Sequence, residues 1–309
     1  MKLQDLGEGA LIRVIRERFG AKAGDLPVGI GDDAAVLDIP SGYSLVFCSD
    51  LVAENTHFIR DLHPPASIGH KVIAANVSDI AAMGGIPMHF LISLAAPGDL
   101  DWSWVEGFFD GVEAACSRFN IGLAGGDSSS SERIFVDVSM VGRVRTGQAV
   151  RRSGAQIGDG IYVTGTLGSS ALGLERLKAG DMNDTAVKRH LFPEPRPEIG
   201  LAVAQQAHAM IDVSDGLSTD LTHILEESKV SARIYKDRIP NWPGAQDHHI
   251  LHGGEEYELI IIAPELPEMI EGVAITRIGE IIESGMDHQA FLVDRASEGV
   301  LLPRGWQHF

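Results

Sequence analysis

HKVIAANVSDIAAMGG, residues 70–85, places one carboxylate in the most apolar helical stretch of the chain. Apolar residues fill 72–75, position 77 and 80–83, so nearly the whole circumference avoids water, and such a helix is buried on most sides. Asn76 and Asp79 stand three residues apart and share one face. An ionised Asp79 in that setting needs a cation or several hydrogen-bond donors, since an unpaired buried charge is costly. One reading makes Asp79 a cap for a neighbouring segment or the partner of an arginine; the other puts positive charge over that face.

Composition narrows the field around this helix. A chain of 309 residues is long enough for two domains of ordinary size. With 44% hydrophobic and 22% charged residues it has the make-up of a soluble globular protein. Its 35 glycines are about 11% of the chain, against ~7% in an average protein, which points to tight turns and close backbone approach to a ligand. The formal net charge of -18, from 43 acidic and 25 basic residues, lacks the basic footprint of a nucleic-acid or anionic-membrane binder. Two cysteines, Cys48 and Cys116, cannot form a disulfide framework and suit a reducing, cytoplasmic setting. The first twenty residues read as an amphipathic helix with Leu11, Ile12, Ile15 and Phe19 on one side, not as a signal peptide. No stretch has the length and apolarity to span a bilayer.

Along the chain, strand-like runs meet aspartates repeatedly. The turn 28–33, VGIGDD, leads into an expected strand over 34–39. A second strand over 43–48 is expected to end in Ser49-Asp50, with His57 a short loop away. Strand 88–95 and helix 102–119 follow, and the run 121–124 is expected to end in Gly125-Gly126-Asp127. Residues 135–144 alternate as a strand, and the glycine-rich polar segment 145–160 is the best domain boundary, giving domains 1–148 and 149–309. The second half opens with strand 161–164, a glycine turn and helix 169–178, a grammar that can bind anions at the helix N-terminus but is shared by many plain turns. PEPRPE, 193–198, reads as a rigid connector. Strand 209–213 runs into Ser214-Asp215-Gly216 and a helix to residue 227 that a Ser or Asp would cap. Further strands are expected at 232–235, 257–263, 275–282 and 289–293.

Asp32, Asp33, Asp50, Asp79, Asp127, Asp212 and Asp215 therefore lie in small-residue turns or the apolar helix, none with a basic residue within two positions. Hard divalent cations take oxygen ligands, and magnesium is held by a few carboxylates together with phosphate oxygens and water. Each acid alone has an ordinary explanation: Asp215 as a helix cap, Asp127 and Asp32 as turn residues. Together they read as a multi-magnesium nucleotide site. The common phosphate cradles are missing, with no GxxxxGK[ST], no strand-associated GxGxxG and no kinase HRD/DFG set. With only seven lysines, the charge of ATP and a second phosphate ester must be neutralised mainly by bound metal.

The phrases GIGDDAAVLD (29–38), SDLVAENTHF (49–58), NVSDIAAMGG (76–85), GGDSSS (125–130), RRSGAQIGDGIYVTGTLG (151–168), IDVSDGLSTDL (211–221), HGGEEYEL (252–259) and the terminal GWQHF resemble the thiamine-monophosphate kinases, within the aminoimidazole-ribotide synthetase-like ATP-binding proteins. The resemblance runs in order along nearly the whole chain. It implies ATP-dependent phosphorylation of thiamine phosphate to thiamine diphosphate, by a homodimer. The implied fold is α/β plus α+β: an N-terminal α/β domain contributing strands to an intersubunit β-barrel, and a C-terminal α+β domain. Carried over residue by residue, it implies several Mg2+ held by Asp33, Ser49, Asp50, Asp79, Asp127, Asp212 and Asp215, with Cys48 giving its backbone carbonyl. Nucleotide contacts fall to Gly126, Asp127, Arg152 and Ser214, and substrate contacts to His57, Glu255 and Trp306. The last two suit a thiazolium cation, which an indole face attracts by cation–π interaction and a carboxylate by Coulomb attraction. By residue type alone, Trp306 could equally plug the core, Glu255 start a helix and His57 sit in a surface loop.

The chain departs from the family pattern in details. Serines Ser128 and Ser129 replace the usual threonines after Gly-Gly-Asp, and Ser131-Glu132 stands where an arginine is frequent. Ser49 and Cys48 replace hydroxyl residues of the family, leaving oxygen donors in place. The first 47 residues have no cysteine, against the expectation for a selenophosphate synthetase, and the end lacks the cysteine tail of hydrogenase-maturation relatives. The mechanism implied is direct in-line transfer with no catalytic side chain, because the acceptor phosphate is already ionised at pH 7 and positioning and metal charge carry the chemistry. A non-catalytic nucleotide- or metal-binding regulator is the reading from another class.

Overall fold

The computed structural model describes residues 1–20, 26–30, 34–285, 287–295 and 297–308. They fall into two compact units: Met1–Ile80 with Ile86–Thr146, and Ala81–Gly85 with Gly147–Phe309.

In the first unit, two opening helices, α1 (Leu3–Leu6) and α2 (Glu8–Phe19), precede β1 (Tyr43–Ala53), α3 (Pro65–Ala82), β2 (Ile86–Ala96), α4 (Trp102–Phe119), β3 (Gly122–Ser130) and β4 (Phe135–Arg145). The strands form one open sheet in the order β1-β4-β2-β3, with β2 and β3 parallel and the other pairs antiparallel. α3 opens on Pro65, whose missing N–H costs nothing at the first helical position. Its Val72, Ile73, Val77 and Ile80 are fully buried, packing with the inward residues Val136, Val138 and Met140 of β4 in one core. α3 and α4 touch backbone to backbone: a Cβ on Gly111 would lie 1.9 Å from the Ala66 carbonyl oxygen, and one on Gly69 2.2 Å from that of Phe108. The opposite face of the sheet carries Phe47, Leu51 and Leu91 exposed to solvent.

Three local expectations give way to pairing. β1 does not end at residue 48 but continues through Ser49 and Asp50 to Ala53, because β4 offers eleven partners in unbroken register, Tyr43↔Arg145 to Ala53↔Phe135. β3 likewise runs through Gly125-Gly126-Asp127 to Ser130, paired with β2 throughout. The expected strand over 34–39 is reduced to one bridge, Val28↔Val36.

The second unit is built on an eight-stranded sheet made from β5 (Gly160–Thr164), β6 (Ala209–Asp212), β7 (Ser231–Tyr235), β8 (Leu259–Ala263), β9 (Met269–Ile270), β10 (Val273–Ile282), β11 (Ala290–Asp294) and β12 (Ser297–Leu301). Its order is β12-β11-β7-β10-β5-β8-β6, with β9 added beside β10. Helices α5 (Ser169–Lys178), α6 (Thr185–Leu191), α7 (Pro197–Val203), α8 (Leu217–Ser228) and α9 (Asp247–His252) complete it. Strand β8 is apolar at every position because both of its faces are covered. Along β8, Ile260 and Ile262 enter one core with α8, while Leu259, Ile261 and Ala263 enter a second with α7. The expected connector over 193–198 is irregular only as far as 196, since Pro197 starts α7.

Candidate functional site

Strand alternation sorts the acids of the first unit. Along β1, Cys48, Asp50 and Val52 point inward, toward α3, and Phe47, Ser49 and Leu51 outward. Cys48 Sγ lies 3.4 Å from Asn76 Oδ1, and one turn along the same helix face Asp79 hydrogen-bonds Asp50. Two carboxyl groups bond in this way only when one keeps its proton. Burial pushes the Asp50 carboxyl up and Asp137 repels its charge, while the bond to Asp79 works the other way. Two facing carboxyl groups with only oxygen to offer, one of them raised by burial, are a donor set that a hard divalent cation would hold. The residues fit magnesium.

Ser49 takes the other face, where its Oγ donates to Asp137 Oδ1 at 2.9 Å. Asp137 is in register with Ser93, and Ser93 with Asp127, so an outer line of acids crosses the sheet at one level. Asp127 is exposed on β3 and accepts the Ser128 amide at 2.8 Å. Gly126 precedes it, its φ of 158° close to extended. His57 lies in the turn after β1, its Nδ1 accepting the Ala53 amide at 3.1 Å. Asp32 and Asp33 lie outside the described residues.

The second unit assembles its candidates around one turn. The amides of Ser214, Asp215 and Gly216 all donate to a single oxygen of Asp220, at 3.1, 3.1 and 2.9 Å. Asp220, reaching back from the first turn of α8, is therefore the cap, and the expected Ser or Asp cap is replaced by Gly216 at that position. Burial holds the Asp220 carboxyl well above the usual range, with Asp212 and Asp215 adding repulsion. Asp215 is left half-buried; burial raises its carboxyl too, opposed by His223, His308 and Arg152 nearby.

Two distant segments hydrogen-bond to the carbonyls of this turn. The Glu255 amide donates to Ser214 O at 2.8 Å and the Trp306 amide to Asp215 O at 3.0 Å. Close approach demands glycine before the indole, since a Cβ on Gly305 would lie 2.0 Å from Asp215 O. Ser214, Asp215, Arg152, Glu255 and Trp306 are thus neighbours. Trp306 is 49% exposed, a presented surface rather than a core plug.

Glu255 is no helix start. It and Tyr257 adopt left-handed backbone, φ 58° and 54°, at a cost of order 1–3 kcal/mol each. The buried acids between and beyond hold that shape. Glu256 accepts Ser169 Oγ at 2.6 Å and the Ser170 amide at 2.9 Å, so the N-terminus of α5 is occupied by the protein's own carboxyl group. Burial pushes this group to about 7. Glu258 is gripped by Arg189 Nη2 at 2.7 Å, by Arg196 Nε at 2.7 Å and Nη2 at 2.6 Å, and by Thr164 Oγ1 at 2.5 Å.

Sequence reading missed Asp137, Asp220, Glu256, Glu258 and both arginines. For Asp137 an acid inside an apolar run was the available signal. Among the described residues one other group, Glu175, His248 and His249, clusters in metal-like fashion. His249 Nδ1 accepts the Gln246 amide at 3.1 Å, so Nε2 keeps its proton and donates to Glu175 at 3.1 Å; this is helix capping.

Residues 31–144 match the family model described as AIR synthase related protein, N-terminal domain, and 156–288 the corresponding C-terminal domain. The thiamine-monophosphate kinase of Escherichia coli (strain K12) is 36% identical over 323 aligned residues, with 98% of each chain covered. The chain belongs to the thiamine-monophosphate kinase family. Solved members of the family share its architecture. The thiamine-monophosphate kinase from Stenotrophomonas maltophilia K279a matches with a TM-score of 0.81 at 34% identity, over 96% of this chain and 99% of that one. A structure described as AaThiL complexed with AMPPCP and TMP matches at 0.78 and 33% identity, over 100% and 99%. The two matched domains are mixed α/β, and among the described residues the four-stranded sheet is open rather than a closed barrel.

Proposed function

We propose that this protein transfers the γ-phosphoryl group of ATP directly to the phosphate of thiamine phosphate, giving thiamine diphosphate and ADP. Family membership supports the reaction, as does a relative described with AMPPCP and TMP bound. The observation that carries it to this chain is the turn at Ser214–Asp215, whose carbonyls accept the backbone amides of Glu255 and Trp306 and which has Arg152 nearby. Glu255 and Trp306 offer charge and a π-face to the thiazolium cation. Arg152 and the Ser214 hydroxyl bind phosphate oxygens, and Gly126-Asp127 the nucleotide; His57 contacts thiamine phosphate. Magnesium would be held in the first unit by Asp33, by Asp50 and Asp79 on the inner side of the sheet, and by Ser49 and Asp127 on its outer face, with the Cys48 carbonyl, and by Asp212 and Asp215 in the second. When bound, it supplies the positive charge that phosphoryl transfer needs.

No side chain need abstract a proton, because the attacking phosphate oxygen is already ionised. Asp220 fixes the turn, and the clamp on Glu258 fixes the loop that carries Glu255. Residues 1–148 then form the ATP, magnesium and dimerisation domain, and 149–309 the α+β domain. The exposed Phe47, Leu51 and Leu91 support a homodimer in which this sheet closes a barrel with its copy. No described helix is long and apolar enough to cross a membrane, and a cytoplasmic location fits the free cysteines. ADP formation that requires thiamine phosphate tests the reading; equal ADP formation without it would refute the kinase.

A further inference from the structure

A buried histidine stands beside Glu255, the residue assigned to the thiazolium cation. His190 lies in the last turn of α6 and is 2% exposed. Its Nδ1 is 3.0 Å from Ser170 Oγ and 3.7 Å from Glu255 Oε2. The crossing of α5 and α6 puts it there. Gly173 lets the two helices meet, since a Cβ on that residue would lie 2.2 Å from the Ala186 carbonyl oxygen and 2.8 Å from His190 Cβ. Ser170, three residues earlier, shares that face of α5 and so meets the ring. The preceding Arg189 holds Glu258 at 2.7 Å, so two consecutive residues of α6 serve the one loop 255–258.

Glu256 and Glu258 fix the backbone of this loop, but a glutamate side chain keeps several torsions of its own, and that of Glu255 is 28% exposed. A carboxylate that must meet a cation gains from being held in one rotamer beforehand, because the ordering cost is then not charged to binding. The tautomer of His190 suits the task. A bare Nδ1 lone pair would face negative charge, so Nδ1 carries the proton, donates to Ser170 Oγ and turns the positive edge of the ring toward Glu255. We propose that His190, oriented by Ser170, is a positioning residue that aims the Glu255 carboxylate at the cationic ring of thiamine phosphate. This rests on the kinase reading above.

The test separates the donor from the ring. His190→Phe keeps a ring and removes the donor, whereas His190→Asn keeps an N–H near the place of Nδ1 and loses most of the ring. In the full-length protein with saturating ATP and magnesium, His190→Phe is expected to raise the KM for thiamine phosphate about tenfold, with kcat and the KM for ATP unchanged, and His190→Asn to recover most of that loss. Beside Glu255→Ala, which removes the carboxylate to be aimed, His190→Phe should add nothing further. A packing role reverses the order, with His190→Phe harmless and His190→Asn damaging; that result overturns the proposal, as does a His190→Phe effect that persists beside Glu255→Ala. Should His190→Phe fail to fold, Ser170→Ala carries the same cycle. A rise in KM of about threefold that vanishes beside Glu255→Ala supports the positioning, and an unchanged KM overturns it. Wild-type turnover keeps the two claims apart. If wild type makes thiamine diphosphate and His190→Phe has the same KM, only the positioning falls. If wild type makes none, yet calorimetry shows it binding thiamine phosphate more tightly than His190→Phe with the difference lost beside Glu255→Ala, the positioning stands and the kinase falls.

Discussion

Asp220 and Glu256 are carboxyl groups spent on architecture, and each has a measurable signature. Asp220→Ala leaves three amides at the α8 turn without their acceptor, at roughly 1 kcal/mol each. Urea unfolding should show a loss of about 3 kcal/mol, whereas Asp220→Asn, which keeps an oxygen in place, should lose much less. For Glu256 the folded pKa of about 7 lies above its ordinary 4.5. Folding therefore favours the protonated form. That contribution is complete below about 4.5 and is lost as pH rises through about 7. Relative to Glu256→Gln, the wild type should lose about 3 kcal/mol across that window; a pH-independent difference would contradict the assignment. Neither residue announced itself in sequence, because Asp220 sits among hydroxyl residues in LSTDLT and Glu256 among glycines and glutamates in GGEEYE, where an acid reads as an ordinary surface group. Asp50 and Asp79 were legible as charges lacking local partners.

The elements follow the sequence wherever one periodicity dominates. α4 and α5 span the residues their apolar spacing marks, 102–119 and 169–178. Where small polar residues interrupt a strand, local turn chemistry misleads: Ser49-Asp50 and Gly125-Gly126-Asp127 remain paired because a long partner lies alongside. This extension has a chemical consequence, since alternation through residue 50 places Asp50 against α3 and Ser49 on the far face. The short helices α6 and α7 were illegible behind prolines and a polar run. At the α3–α4 crossing, Gly111→Ala would drive a methyl group into the Ala66 carbonyl. Overpacking of this kind costs about 1–3 kcal/mol, so the melting temperature should fall while Gly9→Ala, open to solvent, leaves it within a degree or two.

For the whole molecule, the outer face of the four-stranded sheet and the metal-dependent chemistry are the two claims that reach furthest. Phe47→Asp combined with Leu51→Asp places charges on exposed apolar positions; sedimentation should report a monomer with unchanged circular dichroism, and an unchanged sedimentation coefficient would remove the dimer. The arrangement of acids without a catalytic base predicts transfer in one step. The direct measurement is a rapid-quench experiment with γ-labelled ATP, thiamine phosphate and magnesium. Label should appear in thiamine diphosphate one-for-one with ADP, no protein should carry it, and chelation of the metal should abolish both products. Labelled protein that passes its phosphate to thiamine phosphate, or full turnover in excess chelator, would contradict the account.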